Sequence, residues 1–420
     1  YKNVVAFLIG NEVTNDVDTT KASAFVKAAL RDVKSYIKKS NLEIPVGYAD
    51  NDDEEVRNDL IKYFNCGQDP LARVDFYGVN TYRWCGPNVS YKTSGYEQMA
   101  QPFKEYSIPV IMTEYGCNKV RPRSFNEVKS IYGKDLNDIF SGGFVYEYSQ
   151  EDNDYGVVKI VNGNSFKKMS DYENLKDAYS SSVVNTTNTK RYTVEKRSFS
   201  ECPKTSKTWR SGSKLPPTPN SSICSCMMNS LKCSLDPDSV LLDKNPPDSQ
   251  MSERMMDPAK EKVMGSIIDD ICGKIDCKGI EYDTVSGVYG EFSFCSEIER
   301  AAWAINENFM LLKQSQKACT FNGIVTNVVK SPKEDISSCL SKPGNNDISK
   351  IENIAESKKE PSSASSLKVN STKHNYFHGS LDLSLQSIMV CILMANLIVF
   401  CDFCEYVGDF VSSVFLELIV

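Results

Sequence analysis

The sequence predicts an α/β protein: a parallel sheet built from βαβ units, then a small disulfide-rich α+β module, then a disordered and hydrophobic tail. Three observations carry this. Residues 1–150 alternate strand-like apolar runs with segments of helical periodicity. Cysteines crowd the stretch from Cys202 to Cys339. Residues 341–383 are rich in Ser, Lys and Asn, and an apolar run follows at Ser384 to Phe400.

The elements can be taken in order. Val4 to Gly10 is a first strand, and Ala22, Phe25, Val26, Ala29, Leu30, Val33, Tyr36 and Ile37 then recur at helical spacing. Ile44 to Tyr48 is a second strand; Val56, Leu60, Ile61 and Phe64 mark a helix behind an acidic first turn at Asp52 to Glu55. Val74 to Asn80 is a third strand, and a weaker helix runs from Tyr96 to Tyr106, interrupted by Pro102. Pro109 to Thr113 is a fourth strand. Ser124-x-x-Glu127 reads as a capping box opening a helix to about Phe140. Gly143 to Tyr148 is a fifth strand.

Each strand turns polar or aromatic at its end: Asn11-Glu12, Tyr48-Ala49-Asp50, Asn80-Thr81-Tyr82, Glu114-Tyr115 and Glu147 to Glu151. Both a β/α barrel and a doubly wound sheet place their sites at carboxyl strand ends. A Gly-rich phosphate loop, which many doubly wound proteins carry, is missing from the sequence. Five strands in about 150 residues fall short of the eight a barrel needs.

Composition narrows the chemistry. The net charge of −7 and the lack of a Lys/Arg stripe with interleaved aromatics argue against nucleic acid. The 15 cysteines, with sequons at Asn88, Asn185, Asn220 and Asn370, favour a secreted, disulfide-bonded protein. The two histidines, His374 and His378, both lie in the low-complexity tail. That excludes Ser–His and Cys–His nucleophiles and His-based zinc sites from the preceding domains. An enzyme of this composition would work with carboxylates.

Glu12 closes the first strand and Glu114 the fourth, so both fall on one face of a parallel sheet. Two carboxylates across a pocket are what glycoside cleavage requires, one protonated and one ionised. A strand-end carboxylate in a salt bridge or a helix cap is the competing reading, and pattern alone does not choose between them.

The flanking residues add to this. "GNEVTND", "IPVGYADNDDEEVRNDLIKYFNCG", "DFYGVNTYRWCG" and "TEYGCN" resemble the fungal Gas-family β-1,3-glucanosyltransferases of glycoside hydrolase family 72. "SGGFVYEYSQEDNDYGVV" fits the last strand of that family's barrel, and "LPPTPNSSICSCMMNSLKC" with "SGVYGEFSFCS" resembles its cysteine-rich (X8-type) carbohydrate-binding module. The resemblance implies strands 4–8 of a (β/α)8 TIM barrel in an N-terminally truncated chain. It implies Glu12 as general acid/base, Glu114 as nucleophile, Asn11 as a contact to the sugar 2-hydroxyl and the nucleophile, Tyr82 as a partner near Glu114, and Tyr146 as part of a sugar platform. On the residues alone, the two tyrosines are ordinary strand-end aromatics.

The resemblance also implies the disulfides Cys85–Cys117, Cys66–Cys202 and Cys272–Cys277. Cys224, Cys226, Cys233, Cys272, Cys277, Cys295, Cys319 and Cys339 form an even set whose connectivity the sequence leaves open. Tyr289, Phe292, Phe294, Trp303 and Phe309 read as a module core in preference to a sugar-stacking surface. The expected organisation is barrel residues 1–180, a linker at 181–219, the module at 220–340, a Ser-rich stalk at 341–383 and a hydrophobic tail at 384–420. Asn370-Ser371-Thr372 and the following apolar stretch resemble a GPI-attachment signal; a short transmembrane span is the other reading of Ser384 to Phe400.

The function implied is retaining transfer of β-1,3-glucan between a donor and an acceptor, with no cofactor and no metal. A monomer at the cell surface, in the membrane or wall, is expected. The rivals are a retaining endo-β-1,3-glucanase and a catalytically inactive glucan-binding wall protein.

Overall fold

The computed structural model describes residues 3–162, 165–182, 199, 201–236, 258–321, 324–341 and 417–419. The GPI-type signal expected at 370–400 lies outside them.

The first 180 residues follow one strand–helix repeat. β1 (Ala6–Asn11) leads through a 3-10 turn to α1 (Ser23–Lys39); β2 (Val46–Asn51) leads to α2 (Arg57–Phe64). β3 (Phe76–Thr81) is followed by α3 (Tyr96–Ala100), β4 (Val110–Tyr115) by α4 (Glu127–Ile131), and β5 (Gly143–Val145) by a hairpin of β6 (Val158–Asn162) and β7 (Ser165–Lys168) and then α5 (Ser170–Ser180). The strands pair in parallel in sequence order, β1-β2-β3-β4-β5. A doubly wound sheet would reverse its order at a switch point. From β1 to β5 this sheet never does, so it winds in one direction as a β/α barrel does, and the carboxyl ends of these five strands lie on one rim.

The two faces of the sheet differ. Ala6, Leu8, Ala49 and Phe76 form a small inner cluster. On the outer face Ile9, Tyr48, Tyr77 and Met112 join the helix residues Val26, Leu30, Val33, Leu60 and Phe64 in the main core. Tyr48 stacks on Phe64 with ring centroids 4.3 Å apart, so the apolar stripe of α2 meets β2 directly.

Two helices differ from the sequence expectation. Ser124 does not cap a helix to Phe140: α4 covers five residues, and its N-cap position, Asn126, makes no side-chain cap bond. Phe125 adopts φ +50°, which a helix cannot include. The preceding turn is set instead by Arg123, drawn inward to the buried Asp171. Glu127 is buried as well, and burial pushes its carboxyl up to about 7. The Tyr96 to Tyr106 helix splits at Pro102 into α3 and a 3-10 turn, Gln101–Phe103.

Residues 201–219, within the stretch read as a linker, pack against the barrel helices. Trp209 is fully buried in the main core. The Ser211 hydroxyl donates to the Thr20 carbonyl at 2.7 Å, Tyr63 donates to the Gly212 carbonyl at 2.9 Å, and Arg31 reaches the Pro216 carbonyl at 2.9 Å. The Cys66–Cys202 disulfide fastens the start of this strap to the end of α2.

Lys27 is enclosed beside that disulfide. Its ammonium donates to the Tyr63 and Cys66 carbonyls and lies 4.8 Å from the Tyr63 ring centroid. Burial, then the nearby Arg73 charge, lowers its pKa to about 7. In the unfolded chain a lysine titrates near ~10.4, so between the two values the unfolded state binds more protons and stability rises with pH. Urea unfolding of wild type and Lys27→Met should show wild type gaining on the variant as pH rises from 7 towards 10, by at most about 1.4 kcal/mol per pH unit. A constant difference across that window would contradict it.

The module contains α6 (Ser221–Ser230), β8 (Cys233–Leu235), α7 (Pro258–Cys272), the pair β9 (Tyr282–Asp283) and β10 (Val288–Tyr289), α8 (Glu297–Leu311), β11 (Thr326–Val328) and α9 (Ile336–Cys339). Its eight cysteines close as Cys224–Cys295, Cys226–Cys339, Cys233–Cys319 and Cys272–Cys277. Ser296 and Glu299 form a reciprocal capping box on α8. Phe292, Trp303 and Phe309 are buried in the core and Phe294 packs against it. Tyr289 serves elsewhere: with Tyr282 it meets the Phe25 ring of α1 edge-on, at 6.5 and 4.9 Å. A last short strand, β12 (Glu417–Ile419), lies antiparallel along β1.

Candidate active site

The rim formed by the carboxyl ends of β1 to β5 gathers Asn11, Glu12, Asn80, Tyr82, Glu114 and Tyr146. Glu12 leaves β1 at φ +52°, a conformation that non-glycine residues adopt rarely and at a cost of roughly 1–3 kcal/mol. Its backbone is held by a bond from its N–H to the Ala49 carbonyl at 3.0 Å. Its carboxylate accepts from the Asn80 amide at 2.8 Å, and the same amide donates to the side-chain oxygen of Asn11 at 2.9 Å. Asn80 is in turn oriented by the Thr113 hydroxyl, which donates to it at 2.6 Å. Gly78 makes room for that contact, because a Cβ there would stand 2.7 Å from the Thr113 oxygen.

Glu114 sits in β4, opposite Asn80 in the strand register. It accepts a short hydrogen bond from the Tyr82 hydroxyl. Burial, and then the Glu114 carboxylate, raise the Tyr82 pKa, so this phenol stays protonated and remains a donor. Asn80 is the penultimate residue of β3 and Tyr82 directly follows its last, Thr81; the side chains of both reach a carboxylate of the rim. One strand end therefore holds both carboxylates, one through Asn80 and the other through Tyr82.

The residues after Glu114 anchor it. Tyr115 is fully buried on the helix side, with its hydroxyl 2.7 Å from that of Tyr179. Gly116 has φ +117°, and a Cβ there would lie 3.3 Å from the Arg123 guanidinium. Cys117 is bonded to Cys85, which joins the loop after β4 to the loop after β3. Beside Tyr82 stand Tyr146 and Tyr155, with ring centroids 6.2 and 5.5 Å from it and 5.2 Å from each other. Burial and the neighbouring Glu147 and Glu114 push the Tyr146 phenol up to about 12. Three edge-to-face tyrosines beside a carboxylate make an amphipathic wall suited to a sugar ring.

Below this wall Arg123 donates to Asp171 at 2.7 Å, to the carbonyls of Tyr146 at 2.8 Å and Gly116 at 3.2 Å, and to the Tyr155 carbonyl. Sequence reading gave no site role to Arg123, Asn80, Thr113 or Tyr155. Asn80 alone carried a signal, as one of the polar strand ends.

Among the described residues, the clusters able to hold a cation are Cys224, Cys295 and Glu299, and Cys272, Cys277 and Glu281. Every cysteine in them is disulfide-bonded, and a metal prefers a free thiolate.

The glucanosyltransferase family signature of glycoside hydrolases matches residues 1–183, and the X8 domain signature matches residues 254–326. A solved structure of Saccharomyces cerevisiae Gas2p in complex with laminaripentaose superimposes with a TM-score of 0.66 at 36% identity, over 78% of this chain and 68% of that one. The chain belongs to the glycoside hydrolase family 72 glucanosyltransferases. Among curated relatives of this family, a 1,3-beta-glucanosyltransferase of Arthroderma benhamiae is 42% identical over 334 residues, and GAS2 of Saccharomyces cerevisiae is 36% identical over 328. These alignments take in 78% and 77% of this chain but 56% and 55% of the relatives, so the chain spans a little over half the length of the curated proteins it matches.

Proposed function

We propose that this family 72 chain cleaves β-1,3-glucan and re-joins the fragment to a second glucan end, with retention of configuration. The observation that carries this is the attachment of Glu12 and Glu114 to Asn80 and Tyr82, two residues apart on one strand end. The relatives named above, and the laminaripentaose held by Gas2p, support the substrate class.

Each residue then has a role in a double displacement. The Glu114 oxygen that Tyr82 does not hold attacks the anomeric carbon while the bond to the leaving glucan oxygen breaks. Glu12, protonated, gives its proton to that oxygen. The donor fragment stays as an ester on Glu114. Glu12, now a carboxylate, takes the proton from an acceptor hydroxyl, whose oxygen displaces Glu114 and completes the new glycosidic bond. Tyr82 holds the other Glu114 oxygen throughout. Asn11 and Asn80 keep Glu12 above the bond, and Tyr146 with Tyr155 supports the sugar. No step calls on a metal or an organic cofactor.

Hydrolysis differs only in the second step, where water replaces the acceptor. Incubation with a reduced laminari-oligosaccharide separates the readings. Transfer gives products longer than the donor; an endoglucanase gives shorter ones alone; a glucan-binding protein without activity leaves the oligosaccharide unchanged. The proposal expects longer products.

The six disulfides among the described residues fit secretion to an oxidising compartment. GPI-anchored work at the cell surface fits the signal read at 370–400, and a monomer is part of the same proposal. No helix among the described residues is long and apolar enough to cross a membrane.

A further inference from the structure

Tyr82 is gripped from behind. Its chain neighbours, Thr81 at the end of β3 and Arg83 just past it, do not join it at Glu114; both end on one other carboxylate. Asp52, just past β2, has a side chain 7% exposed. It accepts from the Thr81 hydroxyl at 2.9 Å and from the Arg83 guanidinium, whose other arm reaches the Asp52 carbonyl at 3.1 Å. Its second oxygen accepts from Arg57 of α2, which ties the carboxylate to the helix layer. Arg83 also pairs with Glu54 at 2.8 Å, but that carboxylate is 70% exposed and contributes little.

The strand end thus has two sides. On the pocket side Tyr82 donates to Glu114. On the far side its two chain neighbours are locked to a buried carboxylate fixed in its turn by α2. We infer that Asp52 is a positioning residue that sets the direction of the Tyr82 hydroxyl toward Glu114, through Thr81 and Arg83; this rests on the retaining mechanism proposed above. Asp52 itself touches no reacting atom. Asp52, at the start of an acidic stretch, would otherwise pass for the charge that opens α2.

The test is a double-mutant cycle on the full chain, with Asp52→Asn, Tyr82→Phe and the two combined, scored by laminari-oligosaccharide turnover and by thermal unfolding. If Asp52 acts through Tyr82, Asp52→Asn lowers kcat on the order of 10-fold with KM nearly unchanged. In the Tyr82→Phe background the same change costs less than about 2-fold, because the contact it serves is already gone. The milder Thr81→Val, which removes one grip and keeps the side chain's shape, shows the same pattern in smaller measure and covers an Asp52 variant that fails to fold. Equal fold losses in both backgrounds, or an unchanged kcat, would overturn the inference. A second readout needs no turnover: the carboxyl titration of Glu114, followed by ¹³C NMR and assigned by its loss in Glu114→Gln. Asp52→Asn and Thr81→Val should each move it in the same direction as Tyr82→Phe. If the chain turns over no glucan yet these titrations move together, the proposed activity fails and the positioning role stands; if they stay at the wild-type position, the positioning role fails.

Discussion

Glu114→Gln is expected to remove the covalent step, so that no glycosyl-enzyme forms with any donor. An amide cannot supply the electron pair that displaces the leaving glucan. Glu12→Gln fails differently. With an ordinary glucan donor it slows both steps, by about 10²–10⁴-fold, the usual worth of positioned proton transfer. With a donor whose leaving group needs no proton, the first step recovers and the second stays slow. Rapid-quench kinetics on both donors distinguish the two variants. Near-normal turnover in Glu114→Gln, or equal loss on both donors in Glu12→Gln, would refute the roles. The expected asymmetry follows from the arrangement at the end of β3: Tyr82 donates to Glu114, the carboxylate that the proposed mechanism needs ionised, whereas Glu12 is held by a neutral amide that tolerates either protonation state.

The second large effect concerns stability. Arg123 and Asp171 are 2% and 0% exposed and pair at 2.7 Å, and Asp171 also meets the more exposed Arg121 at 3.2 Å. Burial lowers the Arg123 pKa, opposed by Asp171. Asp171→Leu removes the acceptor and leaves a guanidinium in the interior beside three carbonyls. Breaking a buried pair in this way costs about 3–5 kcal/mol, more than most single substitutions. Calorimetric unfolding should show that loss. The double variant Asp171→Leu/Arg123→Met should recover part of it, because the uncompensated charge is then gone. The carbonyls of Gly116, Tyr146 and Tyr155 would still lose their donor, so the tyrosine wall should loosen and KM should rise. A Tm within a degree or two of wild type for Asp171→Leu would contradict this account of the interior.

What the sequence made legible is what period and position encode. The apolar runs located five strands, and their polar ends located Glu12, Asn80, Tyr82 and Glu114. Strand alternation is local, so a reader needs only neighbouring residues to see it. The contacts that organise the site are not local. Asn80 meets Glu12 from 68 positions away, Arg123 meets Asp171 from 48, and Asp52 meets Arg83 from 31. No local pattern links such residues. Ser124-x-x-Glu127 misled for a related reason: the capping-box spacing was present, but the burial of Arg123 set the backbone ahead of it and overrode the local preference. The strap at 201–219 misled through composition, since its polar residues spend their hydrogen bonds on α1 and α2 where a free linker would spend them on water. Among the cysteines of the module, even number was legible and connectivity was not, because pairing depends on which helices pack together.

The central claim is that Glu114 carries the sugar between donor and acceptor. The direct measurement is to trap that species on the intact chain with a β-1,3-linked 2-deoxy-2-fluoroglycosyl fluoride. The ring fluorine slows both steps, and the fluoride leaving group keeps the first one fast enough to accumulate the ester. Proteolysis and mass spectrometry then locate the label. The account predicts one glycosyl group, on the peptide containing Glu114, absent from Glu114→Gln and released when a laminari-oligosaccharide acceptor is added. A chain that turns over laminari-oligosaccharides yet carries the label on another residue, or carries none, would contradict it.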